Sequence, residues 1–371
     1  MTPPRIGRRR FLASTAAGAA SLLLPRPCRA AQDALLWHDA KSWGVEGRGW
    51  ADTARPYDRF PSKAEKTVPG PVWNLSRHSA GMLVRFETDS PSIHARWSLL
   101  HASLALPHMP ATGVSGLDLY ARDEQGRDRW LAVAKPTQQT MELKLAGPVD
   151  PLPGGRRRLY TVYLPLYNGT ESLEIGVDAT ASFQPVAPRA EKPVVFYGTS
   201  ILHGAYASRP GMAFPAILGR RFNRPTVNLG FSGNGRMEPE VVALLSELDP
   251  CLYAIDCLPN MTPEQVAERA GPLVRQLRKA RPDAPILLVE DRSVTSAPFL
   301  NGSREGHAAR RAALRKAYAG LLADGIRGLG YLEGEGLLGD DGEAATDGSH
   351  PSDLGMQRYA DAYEREMKKL L

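Results

Sequence analysis

The sequence is short of cysteine, and what little it has excludes a disulfide scaffold. There are 3 cysteines in 371 residues. Cys251 and Cys257 fall in one predicted strand, where a rise of ~3.3 Å per residue puts their backbones about 20 Å apart, too far to pair with each other. Buried free thiols are expected there. No cysteine–histidine cluster has zinc spacing, and the 8 histidines are scattered without a paired ligand motif. The reading therefore calls for no metal and no other cofactor. Acidic residues are missing from positions 1–30, which carry Arg5, Arg8, Arg9, Arg10, Arg26 and Arg29. Those arginines account for the formal charge of +6, since the remainder has 40 basic against 40 acidic residues. A neutral remainder offers no electrostatic basis for holding phosphate, so no nucleic-acid partner is expected. Long apolar runs are lacking too. The apolar stretch 11–24 falls short of the ~20 residues that a membrane-spanning helix needs.

What is present is the composition of a globular protein, 43% hydrophobic and 23% charged, long enough for two domains of ordinary size. The N-terminus has the layout of a targeting segment. Arg8-Arg9-Arg10-Phe11-Leu12 resembles the twin-arginine export motif, the apolar stretch follows, and Cys28-Arg29-Ala30 ends in a small residue suited to cleavage. Residues 1–30 are read as a signal peptide handled by the twin-arginine export machinery, giving a periplasmic or secreted protein. Pro25 stands where a lipoprotein site needs leucine, so no stable membrane anchor is expected.

From 33 to 183 the chain reads as β-structure. Segments 82–86, 92–97, 117–121, 130–133, 140–145, 158–164 and 172–177 are rich in strand formers, several alternating apolar and polar residues with period 2. Turn residues separate them, as expected of a sandwich or jelly roll. All 6 tryptophans fall in this part; exposed, they would stack on sugars, and buried, they would fill the core. Residues 184–193 read as a linker. From 194 to 371 strands at 194–198, 226–231, 251–257, 285–290 and 325–332 alternate with helical stretches near 211–223, 237–248, 263–280, 304–323 and 353–370. That alternation implies a parallel sheet with helices on both faces.

Four short motifs fall at the ends of these elements: VVFYGTSILHG (194–204), NLGFSGNG (228–235), DCLPN (256–260) and DGSHP (347–351). Ser200 follows a buried-strand pattern, at the strand end where open α/β sheets place their ligands. Histidine is the side-chain type suited to taking a hydroxyl proton, His350 supplies one, and Asp347, three residues upstream, is placed to orient it. Gly233 lets the backbone approach a substrate, and the Asn260 amide is of the type that donates to an oxyanion. Taken singly, each has a plainer reading: a turn serine, a polar loop with an incidental histidine, a glycine turn, a loop asparagine. Together and in this order they supply nucleophile, base and oxyanion hole.

The four blocks resemble the SGNH (GDSL-like) hydrolase superfamily. The resemblance implies a flavodoxin-like hydrolase domain and assigns Ser200 as nucleophile, Asp347 and His350 as its partners, and the Ser200 amide, Gly233 and Asn260 as the oxyanion hole. Two positions depart from the family pattern: Thr199 where the name-giving motif has aspartate, and Pro259 where many members have glycine. Gly116-Leu-Asp-Leu-Tyr120 is similar to the G-x-D-L-Y signature of a β-rich domain that precedes one branch of these hydrolases. The expected activity is that of an exported serine esterase cleaving O-acetyl groups from carbohydrate, with a small-molecule or polysaccharide ester as substrate. A lipid or lysophospholipid esterase is the alternative within the class. A non-catalytic glycan-binding protein is the alternative outside it. Residues 291–303 either line the substrate pocket or form a surface loop. His203 and Arg209, just past the serine, are not assigned catalytic roles, and Arg209 reads as a structural hydrogen-bonder.

Replacing Arg8 and Arg9 together by lysine should trap precursor in the cytoplasm, as read by fractionation and immunoblotting. Normal accumulation of that variant outside the cytoplasm would point to another export route.

Overall fold

A computed structural model describes residues 34–371; the targeting segment proposed for residues 1–30 lies outside the described residues. Among the described residues two antiparallel sheets form first. One has the order β1-β8-β3-β6, with β1 Leu35–Asp39, β3 Ile93–Leu99, β6 Thr140–Ala146 and β8 Thr170–Asp178. The other runs β5-β4-β7-β2-β9, with β2 Leu83–Thr88, β4 Asp118–Arg122, β5 Asp128–Val133, β7 Arg158–Tyr163 and β9 Phe183–Val186. Strand β3 shows why they stack. Ile93, Ala95, Trp97 and Leu99 are buried, while His94, Arg96 and Ser98 between them are half-buried. The inward rows of both sheets meet in one core with Phe86, Val162, Ile175 and Val177, the face-to-face arrangement that alternation predicts.

The second half folds as a parallel sheet of order β11-β10-β12-β13-β14, built from β10 Val194–Gly198, β11 Thr226–Gly230, β12 Leu252–Asp256, β13 Ile286–Val289 and β14 Leu329–Leu332. In sequence order this is 2-1-3-4-5, the flavodoxin-like winding. Strands β10, β11 and β12 are buried at every position, which is why they read as continuous apolar runs rather than alternating ones. Helices α4 Phe214–Arg221, α5 Pro239–Leu245, α6 Pro263–Ala280, α7 Asn301–Ala323 and α8 Asp353–Leu370 make the crossovers and the outer layers. Helix α6 starts where the sequence says it should: Thr262 and Gln265 form a reciprocal capping box ahead of Pro263. Among the described residues no helix is long and apolar enough to cross a membrane.

Two features differ from the sequence expectation. The β-structure continues past residue 183, because β9 pairs with the edge of β2 through Phe183–Val186, so the connecting segment is shorter than 184–193. Part of the chain between β1 and β2 leaves the sandwich. Phe60, Ala64, Val68, Val72 and Trp73, the last two on helix α1 (Gly70–Ser76), are buried against Val195, Tyr197, Val227 and Leu229 of the parallel sheet. Met109, Val114 at the end of the short helix α2 (Ala111–Val114), Leu166 and Tyr167 pack on the other face, with Phe196, Ile201 and Leu202. The two halves thus share hydrophobic cores. Of the tryptophans, Trp97 and Trp73 are core residues and Trp130 is half exposed. Cys257 is buried and Cys251 partly so, both as free thiols.

Asp256 ends β12, fully buried, and accepts a 2.7 Å hydrogen bond from the Tyr363 hydroxyl of α8. Burial raises its carboxyl to about 7, opposed by that hydrogen bond and helped by the nearby Asp291 charge. Between pH 3.8 and about 7 the folded protein keeps a proton there that the unfolded chain gives up. Stability from this group therefore falls as pH rises through that window. Asp256→Asn, which keeps the acceptor, should stabilise by roughly 1–3 kcal/mol at pH 8 and by little at pH 4. Thermal melts at both pH values check this; an equal effect at the two would contradict it.

Candidate active site

Strand β10 delivers Ser200. Thr199 is the N-cap and Ser200 the first residue of the short helix α3, Ser200–His203, so the Ser200 amide is a donor without an intrahelical acceptor. Ser200 is 7% exposed. Thr199 is fully buried, and a carboxylate there would need partners to offset its desolvation; the departure from the family's aspartate fits this environment.

The C-terminal end of the chain brings His350 to the serine. Ser200 Oγ lies 2.8 Å from His350 Nε2, and His350 Nδ1 lies 2.8 Å from Asp347 Oδ2. Asp347 is held by its own loop, accepting from the backbone amides of His350 at 2.7 Å and Ser349 at 2.9 Å. Partial burial pushes its carboxyl up, but those amides and the His350 ring more than offset it and hold it at about 2. Asp347 therefore stays a carboxylate throughout the range in which an imidazole titrates. Ser352 is the N-cap of α8 but makes no side-chain cap bond. Asp353 bonds instead to the Ser208 amide at 2.9 Å and its hydroxyl at 2.5 Å, tying α8 to the segment after α3.

The loops after β11 and β12 bring Gly233 and Asn260 together. Gly233 has φ +68° with open space where a Cβ would stand, a conformation that favours glycine. Asn260 Nδ2 donates to Asn234 O at 2.7 Å, which pins the glycine loop and leaves the second amide hydrogen of Asn260 for another acceptor. Pro259 fits because residues Leu258–Asn260 form a single 3-10 turn, with proline in its first turn.

Three supports have no motif of their own and were not found from sequence. Arg59 is fully buried, 4.9 Å over the Phe231 ring. It donates to Gly230 O at 2.7 Å, Asn228 O at 3.2 Å and Leu75 O at 2.5 Å, so the chain before β2 props the start of the glycine loop. Burial lowers its guanidinium to about 9, leaving it a cation at neutral pH. Arg292, from the 291–303 stretch, donates to Ser349 O at 3.2 Å and also to Ser349 Oγ and Asp291. The Thr295 amide donates to Gly348 O at 2.8 Å. That stretch therefore braces the loop bearing Asp347 and His350. The third support is Tyr206, whose ring stacks on His350 at 5.3 Å. A basic residue beside an apolar stretch, or a tyrosine after a glycine, carries no spacing signal.

The two residues left unassigned are also placed. His203 is fully buried, stacked on Tyr167 at 4.1 Å, with Nε2 2.7 Å from Leu166 O. Burial, then the nearby Arg59 charge, lowers its pKa well below the usual value, so it is a neutral core histidine donating through Nε2. Arg209 donates to Asp118 Oδ2 at 2.8 Å and to the Tyr120 hydroxyl at 2.7 Å, a structural hydrogen-bonder as the sequence suggested.

Residues 191–368 match the model of the GDSL-like lipase/acylhydrolase family. Residues 35–183 match the model of the N-terminus of SGNH-hydro-type esterases, GxDLY. No curated protein sequence matches the chain. Among solved structures, a protein described as a GDSL-like lipase from Bacteroides ovatus is 32% identical, with 91% of this chain and 98% of that one covered and a TM-score of 0.85. A salicylyl-acyltransferase from a tetracycline biosynthetic pathway is 22% identical over 91% of this chain and 95% of that one, with a TM-score of 0.67. A family two carbohydrate esterase from Clostridium thermocellum, in complex with cellohexaose, is 14% identical over 78% and 92%, with a TM-score of 0.55. The last two are likenesses of fold. On the family match and the 32% identity over nearly the whole of both chains, the chain belongs to the GDSL-like lipase/acylhydrolase family.

Proposed function

We propose that the protein is an exported serine esterase that removes O-acetyl groups from carbohydrate. The observation that carries the esterase reading is the hydrogen-bonded series Ser200 Oγ, His350, Asp347, with 2.8 Å at both links. His350 Nε2 takes the Ser200 proton as Oγ attacks the ester carbonyl. Asp347 holds Nδ1–H and stabilises the imidazolium. The amides of Ser200 and Gly233 and the free Asn260 N–H take the oxyanion. His350 then protonates the departing alcohol, and water repeats the cycle on the acyl-enzyme. The carbohydrate part is supported by the added β-sandwich and by the fold shared with carbohydrate esterases. Export rests on the sequence of residues 8–30.

One observation favours a second reading, a longer acyl group. A cavity of about 480 Å³ opens between the loops after β13 and β14, lined in part by Val294, Ala297, Pro298 and Leu338; no triad residue lines it, and it adjoins the Asp347–His350 loop through Thr295, which bonds Gly348 O. Phe299 and Leu300, next along the chain, are 86% and 50% exposed. Hydrolysis of p-nitrophenyl acetate, octanoate and palmitate separates the readings. The proposal expects acetate to be fastest and Ser200→Ala to abolish turnover of all three. A palmitate preference would replace the carbohydrate reading with the lipid one.

Asn260→Ala tests the oxyanion assignment. It should lower kcat by ~10²–10³-fold and raise KM far less, because the donor bonds most strongly to charge that develops in the transition state. The lost bond to Asn234 O should lower Tm as well. A lowered Tm with near-normal kcat would leave Asn260 as a loop brace alone.

A further inference from the structure

The G-x-D-L-Y signature has a structural consequence at the other domain. Asp118, fully buried on β4, receives Arg209 Nη1 at 2.8 Å, the Gly211 amide at 2.7 Å and Trp130 Nε1 at 2.9 Å. Tyr120 accepts from the same Arg209 nitrogen at 2.7 Å. A Cβ at Gly211 would stand 2.5 Å from the Tyr120 ring, so the contact needs glycine. Thr112 Oγ1 donates to Ser208 O at 2.7 Å. The aspartate and tyrosine of the signature thus grip the segment between α3 and α4, whose Ser208 is also held by Asp353 of α8.

That segment carries Tyr206. Its φ is 66°, left-handed, a conformation that costs a bulky side chain energy and persists only where the surroundings impose it. The imposed conformation lays the phenol ring on the His350 imidazole, centroids 5.3 Å apart and planes 28° apart. The His108 ring of the loop between β3 and β4 lies 5.0 Å from Tyr206. Burial and the Asp347 charge both raise the Tyr206 phenol pKa, consistent with a hydroxyl close to that carboxylate.

We propose that Tyr206 is a positioning residue for His350, and that the signature residues Asp118 and Tyr120, through Arg209, hold it in place. The β-domain then fixes the orientation of the imidazole between Ser200 and Asp347, apart from any contact it makes with substrate. This rests on the reading of His350 as the base.

The test is steady-state hydrolysis of p-nitrophenyl acetate by the full chain, with melting temperatures for every variant. Tyr206→Ala should lower kcat by roughly 10- to 100-fold, the scale of a misplaced catalytic group, while KM stays within about twofold. Tyr206→Phe, which keeps the ring, should restore most of the rate. Asp118→Asn should reproduce the kcat loss. Combined with Tyr206→Ala it should cost no more than either alone, because the two act through one contact. If Asp118→Asn does not fold, Tyr120→Phe, which removes only the hydroxyl that accepts from Arg209, takes its place with the same expectation. Wild-type kcat in Tyr206→Ala, or multiplicative losses in the double variant, would overturn the inference. Ser200→Ala and His350→Ala serve as controls: if they too retain turnover, the underlying triad reading fails, whereas inactive controls beside an unaffected Tyr206→Ala sink the positioning role alone.

Discussion

The hydrogen bond between Ser200 Oγ and His350 Nε2, 2.8 Å long, joins residues 150 apart in the chain. A bond of that kind contributes only about 1 kcal/mol net, far too little to order the loops it joins. It exists because other interactions have already fixed both ends. One end is the terminus of β10, a strand buried at every position and paired on both sides. The other is a loop of exposed and half-buried residues before α8. That loop is held by Arg292 on Ser349, by the Thr295 amide on Gly348, and by Asp353 reaching across to Ser208.

Charge is distributed to suit one protonation task at this junction. Asp347 is ionised at every pH where an imidazole titrates. Behind the brace, burial alone would raise the Asp291 carboxyl, but His307, Arg292 and Arg310 more than offset it and hold it below the usual carboxylate range. Arg292 is thus fixed by a carboxylate on one side and the Ser349 loop on the other. The buried Arg59 cation holds the Asn228 and Gly230 carbonyls at the start of the glycine loop, and the nearby buried His203 is neutral. Arg59 and His203 are buried where the two halves meet, and Arg59 reaches that place from the chain ahead of β2.

Much of this was legible in the sequence, for reasons that also mark where legibility ends. The strands of the parallel sheet are apolar runs between turn residues, and α6 announces its start with Thr262, Pro263 and Gln265; local patterns of this kind need no tertiary knowledge. Ser200, Asp347 and His350 were legible as candidates from their residue types and the order of their motifs, and the structure brings them within hydrogen-bonding distance. Arg59, Tyr206 and Arg292 were not, since each acts through a partner far away in sequence: Gly230, His350 and Ser349. The packing of Phe60, Val72 and Trp73 on the hydrolase sheet was missed for the same reason. A run of apolar residues between two strands says that it will be buried, not which core will bury it.

The most direct measurement of the central claim is covalent. Diisopropyl fluorophosphate reacts with a serine only when a neighbouring base has activated it. The account predicts stoichiometric labelling of the intact protein, mapped by peptide mass spectrometry to Ser200, lost in His350→Ala, and accompanied by loss of ester hydrolysis in proportion to the label. Full hydrolytic activity in the unlabelled, reagent-treated protein, or a stoichiometric label on any residue other than Ser200, would contradict it.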